Sequence, residues 1–221
     1  MKKFFSVFLA LLMLTGALSI PSFAYEETAT VYVSVSDKGK LVSAQTEVSV
    51  TDIDGDSALT VNDALYAVHE ALYSGGAKAG YSWYSHKDYG LSIGKLWGDS
   101  SGNFGYYINN SSCWSLSDAV KNGDYLYAFV YSDGKNFSDK YCFFSDFSVQ
   151  AQSGSEIGLT LSCAGYDANW NPVVLPVAGA EITVDGTKTG IRTDANGNKI
   201  YNVNYGLSTI DTMSFKYGKL E

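Results

Sequence analysis

The residues of this chain best suited to chemistry lie in TDIDGDSALTVND, residues 51–63. Taking Asp52 as the first position of a twelve-residue loop puts Asp54 third, Asp56 fifth, Ala58 seventh with its backbone carbonyl, Thr60 ninth and Asp63 twelfth. Each of these positions offers an oxygen, and Ca2+ is a hard cation that takes six to eight oxygen ligands from a flexible loop. An acidic turn is the competing reading. Asp54-Gly55 is a turn dipeptide, and carboxylates ahead of a helix are favoured by its dipole without any metal. A turn needs only one aspartate, however, and three at alternating positions repel one another. The spacing therefore favours a structural Ca2+ on Asp52, Asp54, Asp56, Ala58, Thr60 and Asp63. Ser57 stands at the sixth position, where the turn wants positive φ, and a side chain there costs about 1–2 kcal/mol. Leu59 is placed to anchor the loop against a core.

No other cluster sets out a reaction. His69 has no second histidine four residues on, so the helical metalloprotease pattern is absent. His86 and Cys113 lie in no local catalytic signature, and the reading is non-enzymatic. The three cysteines, Cys113, Cys142 and Cys163, are an odd number whose pairing spacing alone does not identify. They read as small hydrophobes.

The elements that position the loop follow from pattern. Lys2 and Lys3, an apolar run from Phe4 to Leu14 and the triplet Ser22-Phe23-Ala24 form a secretory leader over residues 1–24. Its removal takes two of the 15 basic residues, leaving 13 against 23 acidic ones, so the net charge moves from -8 to -10. An acidic mature chain argues against nucleic acid and anionic membranes as partners. After cleavage no apolar stretch is long enough for membrane insertion. TVYVSVS and LVSAQTEVSV flank the turn DKGK and predict a hairpin over 29–50. Val61, Leu65, Val68 and Leu72, widened by Ala64 and Ala71, predict a helix with a Thr60/Asp63 capping box and an end at Gly75-Gly76. Residues 104–108 and 125–131 alternate as aromatic strands, the second fed by the turn Asn122-Gly123-Asp124.

A hairpin, one helix and further strands make an α+β unit in which a sheet packs on one helix, the β-grasp arrangement. GYYINN followed by WSLSDAVKNGDYLYAFVY, after a helix opening TVNDAL, resembles the transcobalamin-C-terminal-like domain of bacterial secreted proteins over residues 29–134. That resemblance implies a β-grasp-like fold and a small-ligand site of corrinoid type, with Trp97, Tyr106 and Trp114 as contacts at the strand ends. The acidic loop is similar to dockerin-type loops, which end in Asp, although dockerins carry two and this chain has one. Beyond residue 140 short alternating runs are punctuated by Gly, Asp and Asn, as in an all-β sandwich. PVAGAEITVDGTKTGIRTDANGN resembles bacterial Ig-like and carboxypeptidase-regulatory-like modules, giving an Ig-like unit over 143–221. Its end, IYNVNYGLSTIDTMSFKYGKLE, does not alternate cleanly.

The expectation is a secreted or cell-surface binding or adhesion module with structural Ca2+, whose partner is an extracellular protein, a glycan or a small molecule. A corrinoid-type carrier is the alternative. Expressed with its own leader in a bacterial host, the exported chain should begin at Tyr25. Intact-mass analysis of the exported form checks this, and retention of Met1 would contradict it.

Overall fold

Lys38 and Gly39 set the first register of the fold. Both have positive φ, 48° and 80°, the requirement of the two-residue turn whose twist matches that of the strands it joins. They connect β1 (Ala29–Asp37) to β2 (Lys40–Val50) as an antiparallel hairpin. The computed structural model describes residues 28–202, apart from Tyr89, Gln150, Gln152, Ser153, Trp170, Asp185 and Gly186. The secretory leader expected over residues 1–24 therefore lies outside the described residues, as does the chain from residue 203.

The architecture is mostly strand, with thirteen strands and two helices among the described residues. After the hairpin come α1 (Val61–Leu72) and a one-turn α2 (Gly76–Gly80). Then follow β3 (Ser82–His86), β4 (Gly90–Lys95), β5 (Phe104–Ile108), β6 (Ser111–Ser112) and β7 (Tyr125–Val130). The main sheet has the order β2-β1-β7-β5-β6. Its central pair, β1 and β7, is parallel, while the other pairs are antiparallel. The pairing of β3 with β4 is a separate hairpin that the sequence pattern did not reveal, its runs being short and broken by glycine.

One face of the sheet is β-branched and aliphatic. Val31, Val33 and Val35 of β1 and Leu126, Ala128 and Val130 of β7 are buried against Val61, Ala64, Leu65 and Val68 of α1. The helix follows its periodicity only part of the way. Ala71 is exposed and Leu72 is 46% exposed, so the expected apolar face stops a turn early. His69 is buried in their place. Its Nδ1 donates to the Leu65 carbonyl at 2.6 Å, and its Nε2 accepts the Trp97 N–H at 3.0 Å. Both ring nitrogens are satisfied in one neutral tautomer.

The opposite face is aromatic. Tyr32 stacks on Tyr125 at 4.9 Å, and the Phe129 ring lies across Gly105, where a Cβ would collide with it. This face is covered by the chain that follows β7. Tyr141 stacks on Tyr107 at 4.1 Å and donates its hydroxyl to Asn110 Oδ1, while Phe147 stacks on Tyr125 at 4.3 Å. The Gln45 amide donates to the Phe147 carbonyl at 3.1 Å.

The second unit is built on β9 (Glu156–Tyr166), whose Ile157, Leu159, Leu161 and Cys163 alternate into a small core with Phe144 and Val177. Around it stand β8 (Cys142–Phe144), β10 (Pro172–Pro176) and β13 (Asn198–Asn202), with β11 (Glu181–Val184) and β12 (Thr187–Arg192) as a hairpin. The Thr193-Asp194-Ala195-Asn196-Gly197 run of the Ig-like resemblance has a physical meaning here. Thr193 Oγ1 donates to the Val177 carbonyl, and Asp194 accepts the N–H groups of Asn196 and Asn198. Gly197, at φ 77°, brings its carbonyl to the Leu161 N–H at 2.8 Å. The stretch expected not to alternate, residues 200–221, starts inside β13, and from residue 203 it lies outside the described residues.

His69 makes stability depend on pH. Burial lowers its pKa from 6.5 to about 4, the bond to Leu65 opposing this. Above pH 6.5 the ring is neutral whether the chain is folded or not, and the contribution is intact. Between 6.5 and about 4 only the unfolded chain binds the proton, so stability falls with pH by ~3 kcal/mol in all. In His69→Leu that part of the acid slope should vanish, although the unpaired Trp97 N–H costs about 1–3 kcal/mol at neutral pH. Urea unfolding of both proteins from pH 7 to 4 measures the difference.

Candidate metal centre

The acidic loop joins the end of β2 to the first turn of α1. Thr60 is the N-cap, with extended backbone, and the capping box forms as the spacing predicts. Asp63 Oδ2 accepts the Thr60 N–H at 2.8 Å and its hydroxyl at 2.7 Å. Its other oxygen accepts the Ile53 N–H at 3.0 Å, drawing the start of the loop onto the helix. The next amide donors of the helix are satisfied from the far side of the fold. Val61 N–H donates to the Asp118 carbonyl and Asn62 N–H to that of Leu116. Leu59 is buried in the core, as expected of an anchor.

Asp52 folds the loop tip. Its two oxygens accept the N–H groups of Gly55 at 2.7 Å and Ser57 at 2.9 Å. Partial desolvation pushes this carboxyl up, but the surrounding backbone donors outweigh it and hold the pKa below the ordinary value. Ser57 adopts φ 65°, the left-handed conformation that its place in the loop demands. Asp54 Oδ2 accepts the Asn62 amide at 3.0 Å, and Asn62 Oδ1 in turn accepts the Tyr81 hydroxyl at 2.9 Å. Asn62 is fully buried, so the Asp54 carboxylate is oriented from within the core.

The result is a convergence of three carboxylates. Oxygens of Asp52, Asp54 and Asp63 lie within 4.8 Å of one another, and the group could hold a metal ion. Burial raises the Asp63 pKa above the ordinary carboxylate value despite its three hydrogen bonds, and the Asp54 charge adds to the rise. A cation would relieve both effects.

Not every expected ligand joins this group. Asp56 lies outside it and accepts the Ala58 N–H at 2.8 Å, bracing the chain locally. Thr60 has its hydroxyl turned into the cap, because the buried helix terminus needs that acceptor. Ala58 is half-buried beside Leu59. Asn62 and Tyr81, which orient Asp54, were not marked by any sequence signal. Their pairing spans nineteen positions and requires the fold.

Of the expected small-ligand residues, Trp97 and Tyr106 both pack against the core of the first unit, and Tyr106 and Trp114 both lie near Asp118. Trp97 packs on His69 at 5.0 Å and edge-on to Tyr73 at 5.3 Å. Tyr106 packs on the helix side of the sheet, where burial pushes its phenol up to about 12. Trp114 is 87% exposed, its backbone N–H donating to Asp118 Oδ2. On the aromatic face, the space between Tyr32, Gln45, Tyr125, Tyr127 and Phe147 amounts to ≈ 10 Å³, about enough for one water. Cys113 is half-buried, and burial pushes its thiol up to about 12. His86 Nδ1 accepts the Asp88 N–H.

The chain matches no family model, no curated protein and no solved structure. No helix among the described residues is long and apolar enough to cross a membrane.

The left-handed Ser57 gives a test of the loop geometry. Ser57→Gly removes the Cβ strain and adds chain entropy to the unfolded state, for a net gain of about 0.5–1 kcal/mol. Gly55→Ala, at φ 78°, should lose about 1 kcal/mol. Urea unfolding at pH 7 reads both changes.

Proposed function

We propose that this chain is an exported, non-enzymatic binding module whose first unit carries a structural Ca2+ in the loop 52–63. The single observation that supports the metal is the convergence of the Asp52, Asp54 and Asp63 oxygens within 4.8 Å. An all-oxygen set suits a hard cation, and a flexible loop suits Ca2+ better than Mg2+, which demands tighter octahedral geometry. The ion would tie β2 to α1, acting on stability and not on a reaction.

The fold reading belongs to the same proposal. The order β2-β1-β7-β5-β6, with a parallel central pair and α1 on one face, supports a β-grasp-like first unit of the transcobalamin-C-terminal-like kind. Two of the stretches that carry the resemblance, GYYINN and the NGDY of the second, meet in space. Asn109 bridges the end of β5 to the start of β7, its amide donating to Asp124 Oδ1 and its oxygen accepting the Tyr125 N–H. The antiparallel arrangement around β9 supports an Ig-like second unit. A partner among extracellular proteins or glycans fits the acidic chain. The alternative, a corrinoid-type carrier, needs Trp97, Tyr106 and Trp114 around one planar ligand; the first two pack against the core and Trp114 is exposed.

Calorimetric titration of the chelated protein tests the metal. Extracellular modules bind Ca2+ at roughly 10⁻⁴ to 10⁻³ M, so about 1 mM Ca2+ should stabilise the protein by roughly 0.4–1.4 kcal/mol. Asp54→Asn keeps an acceptor for Asn62 and removes one charge, so it should abolish the calcium response while leaving the apo protein as stable or slightly more so. Binding should weaken with falling pH, since protons compete for Asp63, whose pKa is raised. No heat and no melting shift at several millimolar Ca2+ would reduce the loop to a self-braced acidic turn.

A further inference from the structure

β8 and β9 place two of the three cysteines directly opposite each other. The register pairs Cys142 with Cys163, between Tyr141 opposite Ala164 and Phe143 opposite Ser162. Ala164 N–H donates to the Tyr141 carbonyl at 2.9 Å, and Ser145 N–H to the Thr160 carbonyl at 2.9 Å. Hydrogen-bonded and non-hydrogen-bonded pairs alternate along an antiparallel ladder, so 141/164 and 145/160 being bonded makes 142/163 a non-bonded pair. Such pairs bring their Cα atoms to about 4.5 Å and point both side chains to one face. That separation falls within the range of about 4.4–6.8 Å that a disulfide spans. The two side chains also belong to the same small core, Cys163 within it and Cys142 against it. Cys113 is elsewhere, packed against the core of the first unit.

We infer that Cys142 and Cys163 are a cross-strand disulfide site and that Cys113 is the unpaired thiol. The oxidant is a disulfide compound, either oxidised glutathione or a dithiol oxidoreductase in its disulfide form. The Cys142 thiol loses its proton and the thiolate attacks one oxidant sulfur, forming a mixed disulfide and expelling the other sulfur as a thiolate. Cys163, deprotonated in turn, attacks the Cys142 sulfur and expels the second thiolate. The two cysteines lose two electrons and two protons, and the oxidant leaves as two thiols. The bond closes the chain from β8 to β9 and fastens β8, which follows directly on Tyr141, to the second unit. This pairing is independent of the metal loop.

The folded dithiol should react slowly, because burial pushes the Cys142 thiol up to about 12. The test therefore refolds the reduced full-length chain, after leader removal, in a glutathione redox buffer. Thiol counting on the denatured product should give one free thiol against three in the reduced chain, and peptide mass spectrometry should link the Cys142 and Cys163 peptides. Oxidation should raise the melting temperature by about 10 °C. Cys113→Ser should keep that shift and Cys142→Ser should abolish it. Three free thiols after oxidative refolding, or a bond that includes Cys113, would overturn the assignment. Alkylation of reduced Cys142→Ser, with its circular dichroism, separates a lost bond from a lost fold.

Discussion

The start of α1 is where the first unit is decided. A helix presents amide donors at its N-terminus that nothing within the helix can satisfy, and here that terminus is buried, with Thr60, Val61, Asn62 and Asp63 all out of solvent. Each donor needs a partner from another part of the chain. Asp118 and Leu116 supply carbonyls from the segment before β7, and Thr60 supplies its hydroxyl. Val120 N–H returns a bond to the Leu59 carbonyl. The acidic loop, the helix and the return segment are thus parts of one hydrogen-bonded joint. The geometry of the carboxylates follows from it, since Asp63 and Asn62 are fixed by the joint before they touch Asp52 or Asp54.

What could be read in the sequence was what local chemistry decides. The Lys38-Gly39 turn, the Thr60/Asp63 cap and the left-handed Ser57 each follow from a few neighbouring residues. Alternation was enough to find β1, β2, β5 and β7. Partners far apart in the chain were not legible. Periodicity continued the apolar face of α1 to Leu72, but the residue that packs under Trp97 is His69. Asp56 shares the spacing of the loop ligands yet turns to Ala58, because a two-residue bond is available before any ion is considered. Nothing in the composition of 125–131 tells which ring faces the helix. The structure assigns Leu126, Ala128 and Val130 to that side, and leaves Tyr125, Tyr127 and Phe129 for the other.

That second, aromatic face accounts for several of the tyrosines, among them Tyr32, Tyr107, Tyr125, Tyr127 and Tyr141. Tyrosine covers apolar area with its ring and keeps a hydroxyl for a polar neighbour. Tyr141 does both, stacking on Tyr107 and donating to Asn110. Asn109 and Asn110, both at positive φ, form the turn from β5 to β6. This one turn serves the cover on one side and the Asp124 bridge on the other.

The segment from Tyr141 to Phe147 alters how the two halves of the chain share load. A free connector has slack, and tension on it is spent in straightening the backbone. Here the connector is laid on the first sheet through Tyr141 and Phe147, while Cys142–Phe144, between them, is laddered to β9. A pull along the chain would meet stacked rings and backbone bonds in shear before any length was released. For a protein fixed at one end and holding a partner at the other, the join would behave as a stiff coupling and not as a hinge.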